Sequence, residues 1–480
     1  MNRFPNRAAI QTLWRQSRRF IAFAIAGLAY WLIASLPPPS DLQPQAMKAV
    51  AIFAVCIFFY VTNVIPLMIT SLLAVILFPL AGALDSKTTF ALFGNQVVFF
   101  ILGAFILASP FMRSGLSRRI ALTVLRYFGG SPSKLLLGVL LFPAFLSFWM
   151  SEHAVAAMMF PIVIEIADCL GLPPQNPAGG ASRFGKALFL TMAAGCIIGG
   201  ITTFLGGGRA PLAVGILRES TGQSIDFIPW ALAALPTTLL LLVFAYYLFL
   251  ALYPPEIKNV EEVQEMLERR RRELGPIKPR EIGVGVLMLG AILAWMFYGK
   301  QLGLANIAII AVVIVFVFKL TEWREVEEDV NWGIFLMYGG AICLGYAMEI
   351  TGGAEWLARH TLGPLVNSPI LLFAAISLLS IILTELISNS AVVALLMPVA
   401  LSMGRDLGID PRLMTMVVAI PSGLALMFPM GTPATAIAFS SGFLTMRDTV
   451  RTGLIILPAG WLIFNLSIHF IWPLLGFAVP

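Results

Sequence analysis

Charge is what this chain has least of. Only 12% of its 480 residues are Asp, Glu, Lys or Arg, and 59% are hydrophobic, whereas a soluble domain is about one quarter charged. That shortage excludes an ordinary soluble domain and places most of the chain in lipid. Cysteine is also scarce: Cys56, Cys169, Cys196 and Cys343 stand far apart, with no metal-ligand spacing and no disulfide framework. The three histidines, His153, His360 and His469, are equally scattered, so neither a metalloenzyme nor a bound cofactor is expected. The basic excess does not suit nucleic acid, because Arg3, Arg7, Arg15, Arg18 and Arg19 cluster, without an acid, just before an apolar run. Such a cluster reads as a signal that keeps the N-terminus cytoplasmic. The run from Phe20 to Leu36 ends in Pro37-Pro38-Pro39 and lacks the small-residue pattern of a cleaved signal peptide.

What is abundant is apolar sequence in segments of membrane-spanning length. Residues 20–36, 46–62, 64–83 and 95–112 qualify, followed by a basic stretch from Arg113 to Arg119 that suits a cytoplasmic end. Residues 135–168 are apolar on both sides of Ser151, and each half, about 16 residues or roughly 24 Å of helix, is marginal for crossing alone. That predicts a re-entrant hairpin. A Pro/Gly-rich connector at 170–186 leads to an apolar segment, 187–201, that runs into Thr202-Thr203-Phe204-Leu205-Gly206-Gly207-Gly208-Arg209-Ala210-Pro211. Glycine and proline are the poorest helix formers, so a helix broken at 202–211 is expected. A helix near 226–253 and a charged connector at 254–281, carrying Arg269 to Arg272, complete this half. The plan then repeats: helices near 282–298, 303–319 and 332–350, an amphipathic piece at 353–365, a hairpin at 368–402, a helix at 412–441 broken at 428–435, and a last helix at 453–475. The expected fold is therefore an all-α polytopic membrane protein, with two inverted repeats, about eleven crossings, two re-entrant hairpins and two broken helices. The odd number of crossings between hairpins inverts the repeats, and the count leaves the C-terminus outside.

A doubled motif supports the repeat. Residues 151–161 read SEHAVAAMMFP and residues 388–398 read SNSAVVALLMP, sharing Ser, Ala, Val, Ala and Pro in register. Each copy opens with a polar triplet, Ser151-Glu152-His153 or Ser388-Asn389-Ser390. Lipid cannot satisfy such groups, so they must face protein, water or a ligand. Two polar tips and two broken helices meeting at mid-membrane are how secondary transporters build an ion and substrate site. An enzyme using Ser151, Glu152 and His153 is disfavoured, because consecutive helical residues point in different directions. Phe148, Trp149 and the Met158-Met159 pair read as packing residues.

On these residues the chain resembles the divalent anion:sodium symporter family of the ion transporter superfamily. Ser388-Asn389-Ser390 resembles that family's Ser-Asn-Thr tip, and Gly431-Thr432-Pro433-Ala434-Thr435 resembles its Gly-Thr-Pro-Pro-Asn break. Ser151 and Gly206 hold the equivalent places in the first half. The resemblance covers nearly the whole chain. It implies transport of di- or tricarboxylates or sulfate by an elevator-type alternating-access mechanism, with no enzymatic activity. It further implies a homodimer in the lipid bilayer, in a bacterial inner membrane, with a scaffold and a mobile transport part. The repeats then divide into 1–253 (scaffold helices 20–112, transport part 135–253), the connector 254–281, and 282–480 (scaffold helices 282–350, transport part 368–480).

Two departures modify the expectation. The first tip has Glu152-His153 where the family has Asn-Thr, and the first break has Gly206-Gly207-Gly208-Arg209-Ala210 where it has Gly-Thr/Ser-Pro-Pro-Asn. A side-chain amide and hydroxyl are lost, and an acid, an imidazole and a guanidinium are gained. An intramembrane Glu and Arg are expensive unless paired. Arg209 is therefore expected to pair with Glu152, to supply the charge of a missing sodium ion, or to grip a substrate carboxylate in bidentate fashion. The alternative is a salt bridge with no functional contact. The substrate-binding candidates are Ser151, Glu152, His153, Gly207, Arg209, Ser388, Asn389, Ser390, Thr432, Pro433 and Thr435. Ser388, Asn389, Gly431 and Thr432 are the cation-binding candidates, and Glu152, His153 and Glu385 the coupling candidates, with Na+ or H+ as the coupling ion. Reduced sodium coupling, as an exchanger or proton-linked carrier, is the leading expectation. A fully sodium-coupled symporter, or a related carrier of another anion such as arsenite, is the alternative.

Overall fold

The computed structural model describes residues 7–38, 44–174, 181–361 and 368–477. Parts of the 170–186 connector, of the 353–365 piece and of the triple proline lie outside them, as do the side chains of all the N-terminal arginines except Arg19. The described residues form helices α1 (Arg7–Ser35), α2 (Pro44–Thr62), α3 (Leu67–Ala81), α4 (Ser86–Phe93), α5 (Gln96–Arg113) and α6 (Leu116–Phe128). A hairpin of α7 (Pro132–Leu146) and α8 (Glu152–Cys169) follows, then the interrupted pair α9 (Arg183–Gly200) and α10 (Arg209–Thr221), then α11 (Phe227–Leu252). After the connector helix α12 (Glu261–Glu273) come α13 (Pro279–Leu302), α14 (Leu304–Val317), α15 (Trp323–Asp329), α16 (Trp332–Ile350) and α17 (Gly353–Thr361). The second hairpin is α18 (Pro369–Thr384) and α19 (Asn389–Asp406), the second interrupted pair α20 (Pro411–Ala419) and α21 (Pro433–Phe439), and the last helix α22 (Met446–Leu466).

The ten helices α2–α11 recur in order as α13–α22, including the short fourth-position pieces α4 and α15. Packing follows the same exchange: α3 lies on α16 as α14 lies on α5, and α10 lies on α19 as α21 lies on α8. A pseudo-twofold relation produces such swapped pairs. Six described helices are long and apolar enough to cross a membrane by themselves. The expected eleven crossings are matched only roughly, because α3 and α14 have 15 and 14 residues, about 21–23 Å of helix at 1.5 Å per residue.

Boundaries differ from expectation for physical reasons. The first break ends at Gly208, not 211, since Pro211 sits in the first turn of α10, where its missing N–H costs no hydrogen bond. The second break starts earlier, at Ile420, and ends at Thr432, which caps α21. The basic stretch after residue 113 is largely an amphipathic helix, α6, burying Ala121, Leu122 and Leu125.

Close backbone approach explains two glycines. A Cβ on Gly195 would lie 2.3 Å from the Leu140 carbonyl oxygen, and one on Gly199 would lie 2.2 Å from that of Ala144. These contacts seat α9 directly on the first hairpin arm, as small residues do inside membranes. Outside the apolar segments, ion pairs tie α12 to its neighbours: Arg126 to Glu268 at 2.5 Å and Arg270 to Glu165 on α8 at 3.0 Å. Hydrogen bonds from Arg126, then Arg272 and Arg271, hold the Glu268 carboxyl down at about 2. Its contribution to docking therefore persists in mild acid and is lost only as pH falls through that value.

Candidate functional site

The two tips are built alike. Ser151 and Ser388 cap α8 and α19, with φ/ψ of −62/139° and −64/145°. Each hydroxyl accepts from the N–H three residues on, Ala154 at 3.4 Å and Ala391 at 3.3 Å. This satisfies one orphan donor at each helix start and leaves each serine proton free to donate. Glu152 and Asn389 then occupy the first helical positions, and His153 and Ser390 the second.

The N-termini of α8, α10 and α19, together with the start of α21, converge on one cavity of about 330 Å³. Ser151, Glu152, His153, Gly207, Arg209, Ser388, Asn389, Ser390, Gly431 and Pro433 all line it. Thr432 and Thr435 do not: their hydroxyls are 2.7 Å apart, and Thr435 donates to the Ala425 carbonyl at 3.3 Å. Both are buried behind Gly431 and Pro433. Several helix N-termini aimed at one space supply free N–H donors and partial positive charge, which favours an anion.

The first half contributes a fixed ion pair. Arg209 Nη1 donates to Glu152 Oε2 at 3.3 Å, with side chains 2% and 0% exposed. Three glycines make the slot. A Cβ on Gly200 would sit 2.5 Å from Glu152 Oε2, one on Gly207 2.4 Å from Arg209 Nη1, and one on Gly423 2.3 Å from Arg209 Nε. The guanidinium thus touches the first tip through Glu152, the first break through Gly207, and the second break through Gly423. Glu152 opens α8, where a negative charge is favoured, whereas Arg209 opens α10, where a positive charge is not, so its ion pair with Glu152 offsets that placement. Among the described residues, Glu152 Oε1, His153 Nδ1 and Arg209 Nη2 have no hydrogen-bond partner. The His153 side chain is 41% exposed, with Nδ1 3.9 Å from Glu152 Oε1.

Glu385 does not line the cavity. Its Oε1 accepts from Leu426 N–H at 2.8 Å and Met427 N–H at 3.0 Å, and its Oε2 from Phe428 N–H at 2.9 Å. It clamps the unwound chain of the second break. Thr384 adds a tie, its hydroxyl lying 2.6 Å from the Ser422 carbonyl oxygen and 2.8 Å from Asn389 Oδ1.

The opposite wall was not anticipated. Asn63 and Pro66 from the α2–α3 turn, Met68 from α3, Phe105 from α5, and Asn331, Met337 and Tyr338 at or near the start of α16 also line the cavity. The boundary between the apolar segments 46–62 and 64–83 falls at Asn63, which turns the chain with a φ of 47°, but nothing local in the sequence signals that this turn faces the cavity.

The chain is similar to known proteins in sequence and in fold. The sodium-dependent dicarboxylate transporter SdcS of Staphylococcus saprophyticus is 27% identical over 478 residues, covering 95% of this chain and 92% of that protein. The SdcS of Staphylococcus aureus is 28% identical over the same shares. Among solved structures, the YdaH transporter of Alcanivorax borkumensis superposes with a TM-score of 0.51 at 14% identity, over 79% of this chain and 87% of that one, a likeness of fold alone. Residues 17–478 match the family described as the sodium:sulfate symporter transmembrane region, and with that match spanning nearly its whole length the chain belongs to this transporter family, the divalent anion:sodium symporters.

Proposed function

We propose that this chain is a secondary active carrier of small di- or tricarboxylates, with a reduced need for sodium. The observation that carries the reading is the convergence of helix N-termini on a cavity whose first half holds a buried Arg209–Glu152 pair. In this reading Arg209 supplies a permanent positive charge in the first half, and the second half keeps a cation site around Ser388, Asn389 and Gly431, with Thr432 buried behind it. Ser151, Ser388 and Ser390 donate hydroxyl protons to the anion, and His153 adds a donor from its partly exposed ring. The dicarboxylate preference is supported by the names of the relatives, and sulfate remains the competing anion. Helices α1–α5 and α13–α16 form the scaffold, and the hairpins with the broken helices move against it as an elevator. A homodimer in a bacterial inner membrane with a cytoplasmic N-terminus completes the reading.

Purified protein in detergent, heated with succinate, citrate or sulfate in sodium-free buffer, tests this. A ligand that binds the folded state at 100 times its Kd stabilises it by about 2.7 kcal/mol. The expected outcome is a rise in Tm with a dicarboxylate or citrate in the absence of sodium, enlarged by sodium. No shift with any anion until sodium is added would contradict the role given to Arg209.

A further inference from the structure

One residue of the opposite wall reaches across the cavity. Tyr338 on α16 is 1% exposed, and its hydroxyl lies 3.3 Å from Ser390 Oγ of the second tip. The same hydroxyl occupies the place of a side chain on the first break: a Cβ on Gly208 would fall 1.3 Å from it, and 2.4 Å from the ring carbon that bears it. Glycine at 208 is therefore required for this tyrosine to reach the tip at all. Tyr338 joins a wall helix, the first break and the second tip in one contact.

We propose that Tyr338 is a positioning residue for anion recognition, fixing the direction in which the Ser390 hydroxyl donates. A buried tyrosine hydroxyl needs an acceptor for its proton, and among the described residues Ser390 Oγ is its hydrogen-bond partner. Of the two directions this contact allows, we take Tyr338 as donor and Ser390 as acceptor. A serine that receives a proton on its oxygen keeps its own proton for another acceptor. Ser390 lines the cavity, at the second position of α19, so that proton is presented to a carboxylate beside the helix N-terminus. Without Tyr338 the serine hydroxyl rotates freely and loses its bias toward the anion. This inference rests on the dicarboxylate-carrier reading above.

The test is a double-mutant cycle of Tyr338→Phe and Ser390→Ala, read as succinate Kd on purified protein and as KM and kcat in proteoliposomes. Tyr338→Phe keeps the ring in its niche, so the fold is retained. The expected result is a Kd and KM raised about tenfold, the worth of one hydrogen bond to a charged group, with kcat within about twofold. Ser390→Ala gives a similar rise, and the double variant is no weaker than Ser390→Ala alone, because the two side chains act through one proton. An unchanged Kd in Tyr338→Phe, or penalties that add in the double variant, would overturn the role of Tyr338 while leaving the carrier reading intact. A wild-type protein that binds no dicarboxylate would overturn the carrier reading and this inference with it.

Discussion

Arg209→Gln is expected to abolish saturable uptake and to lower stability by about 3–5 kcal/mol, because it strands a buried carboxylate. Glu152 is 0% exposed, its Oε2 has Arg209 as its ion-pair partner, and its Oε1 has no hydrogen-bond partner among the described residues. Gly200, Gly207 and Gly423 bring backbone against both side chains and hold them in place. Arg209→Lys is not conservative either. An ammonium cannot reproduce the planar group that lies flat against Gly423. The control is Arg209→Gln combined with Glu152→Gln, which removes both charges. Thermal unfolding of that double variant should recover most of the lost stability, while uptake stays absent because the fixed charge is gone. Recovery of uptake along with stability would reduce the pair to a structural tie.

Glu385→Ala carries the second-largest effect. Three main-chain N–H groups of the second break, on Leu426, Met427 and Phe428, donate to this one carboxylate. Removing it leaves three partly or fully buried donors unpaired, each costing about 1–3 kcal/mol. The unwound chain between α20 and α21 then loses the hold that sets Gly431 and Pro433 at the cavity. Uptake should fall below detection, and Tm should drop further than for truncation of an exposed leucine such as Leu466. Glu385→Gln should sit between, because its single oxygen still accepts from Leu426 and Met427 while its amide faces the Phe428 N–H donor to donor. Wild-type uptake in Glu385→Ala would show that the break keeps its shape without the clamp.

How much of this was legible in the sequence depended on how locally each feature is encoded. The doubled Ser-x-x-Ala-Val motif and the Gly/Pro breaks lie within a dozen residues each, and they predicted the hairpins, the interruptions and ten of the residues lining the cavity. The Glu152–Arg209 pair could be anticipated because two charges in apolar sequence must find each other. What could not be read were contacts between distant segments. Gly423 looks like a turn residue until a guanidinium from 214 positions earlier in the chain is found lying on it. Tyr338, followed by two glycines in an apolar helix, carries no local sign that it reaches Gly208 and Ser390. Glu385 was placed correctly beside the tip, but its partners lie 41 to 43 residues on, in the other element of the site. Thr432 and Thr435 show the converse. Their polar side chains suited a ligand site, yet capping α21 and bonding each other use both hydroxyls inside the fold.

The measurement that bears most directly on the account is the sodium dependence of dicarboxylate uptake by the wild-type protein in proteoliposomes, with pH and membrane potential clamped. If Arg209 supplies the charge of one coupling ion and only the second half binds a cation, uptake should rise hyperbolically with sodium, with a Hill coefficient near one, and a residual rate should remain without it. A steep, sigmoidal dependence with a Hill coefficient of two or more, and no uptake in sodium-free buffer, would contradict it.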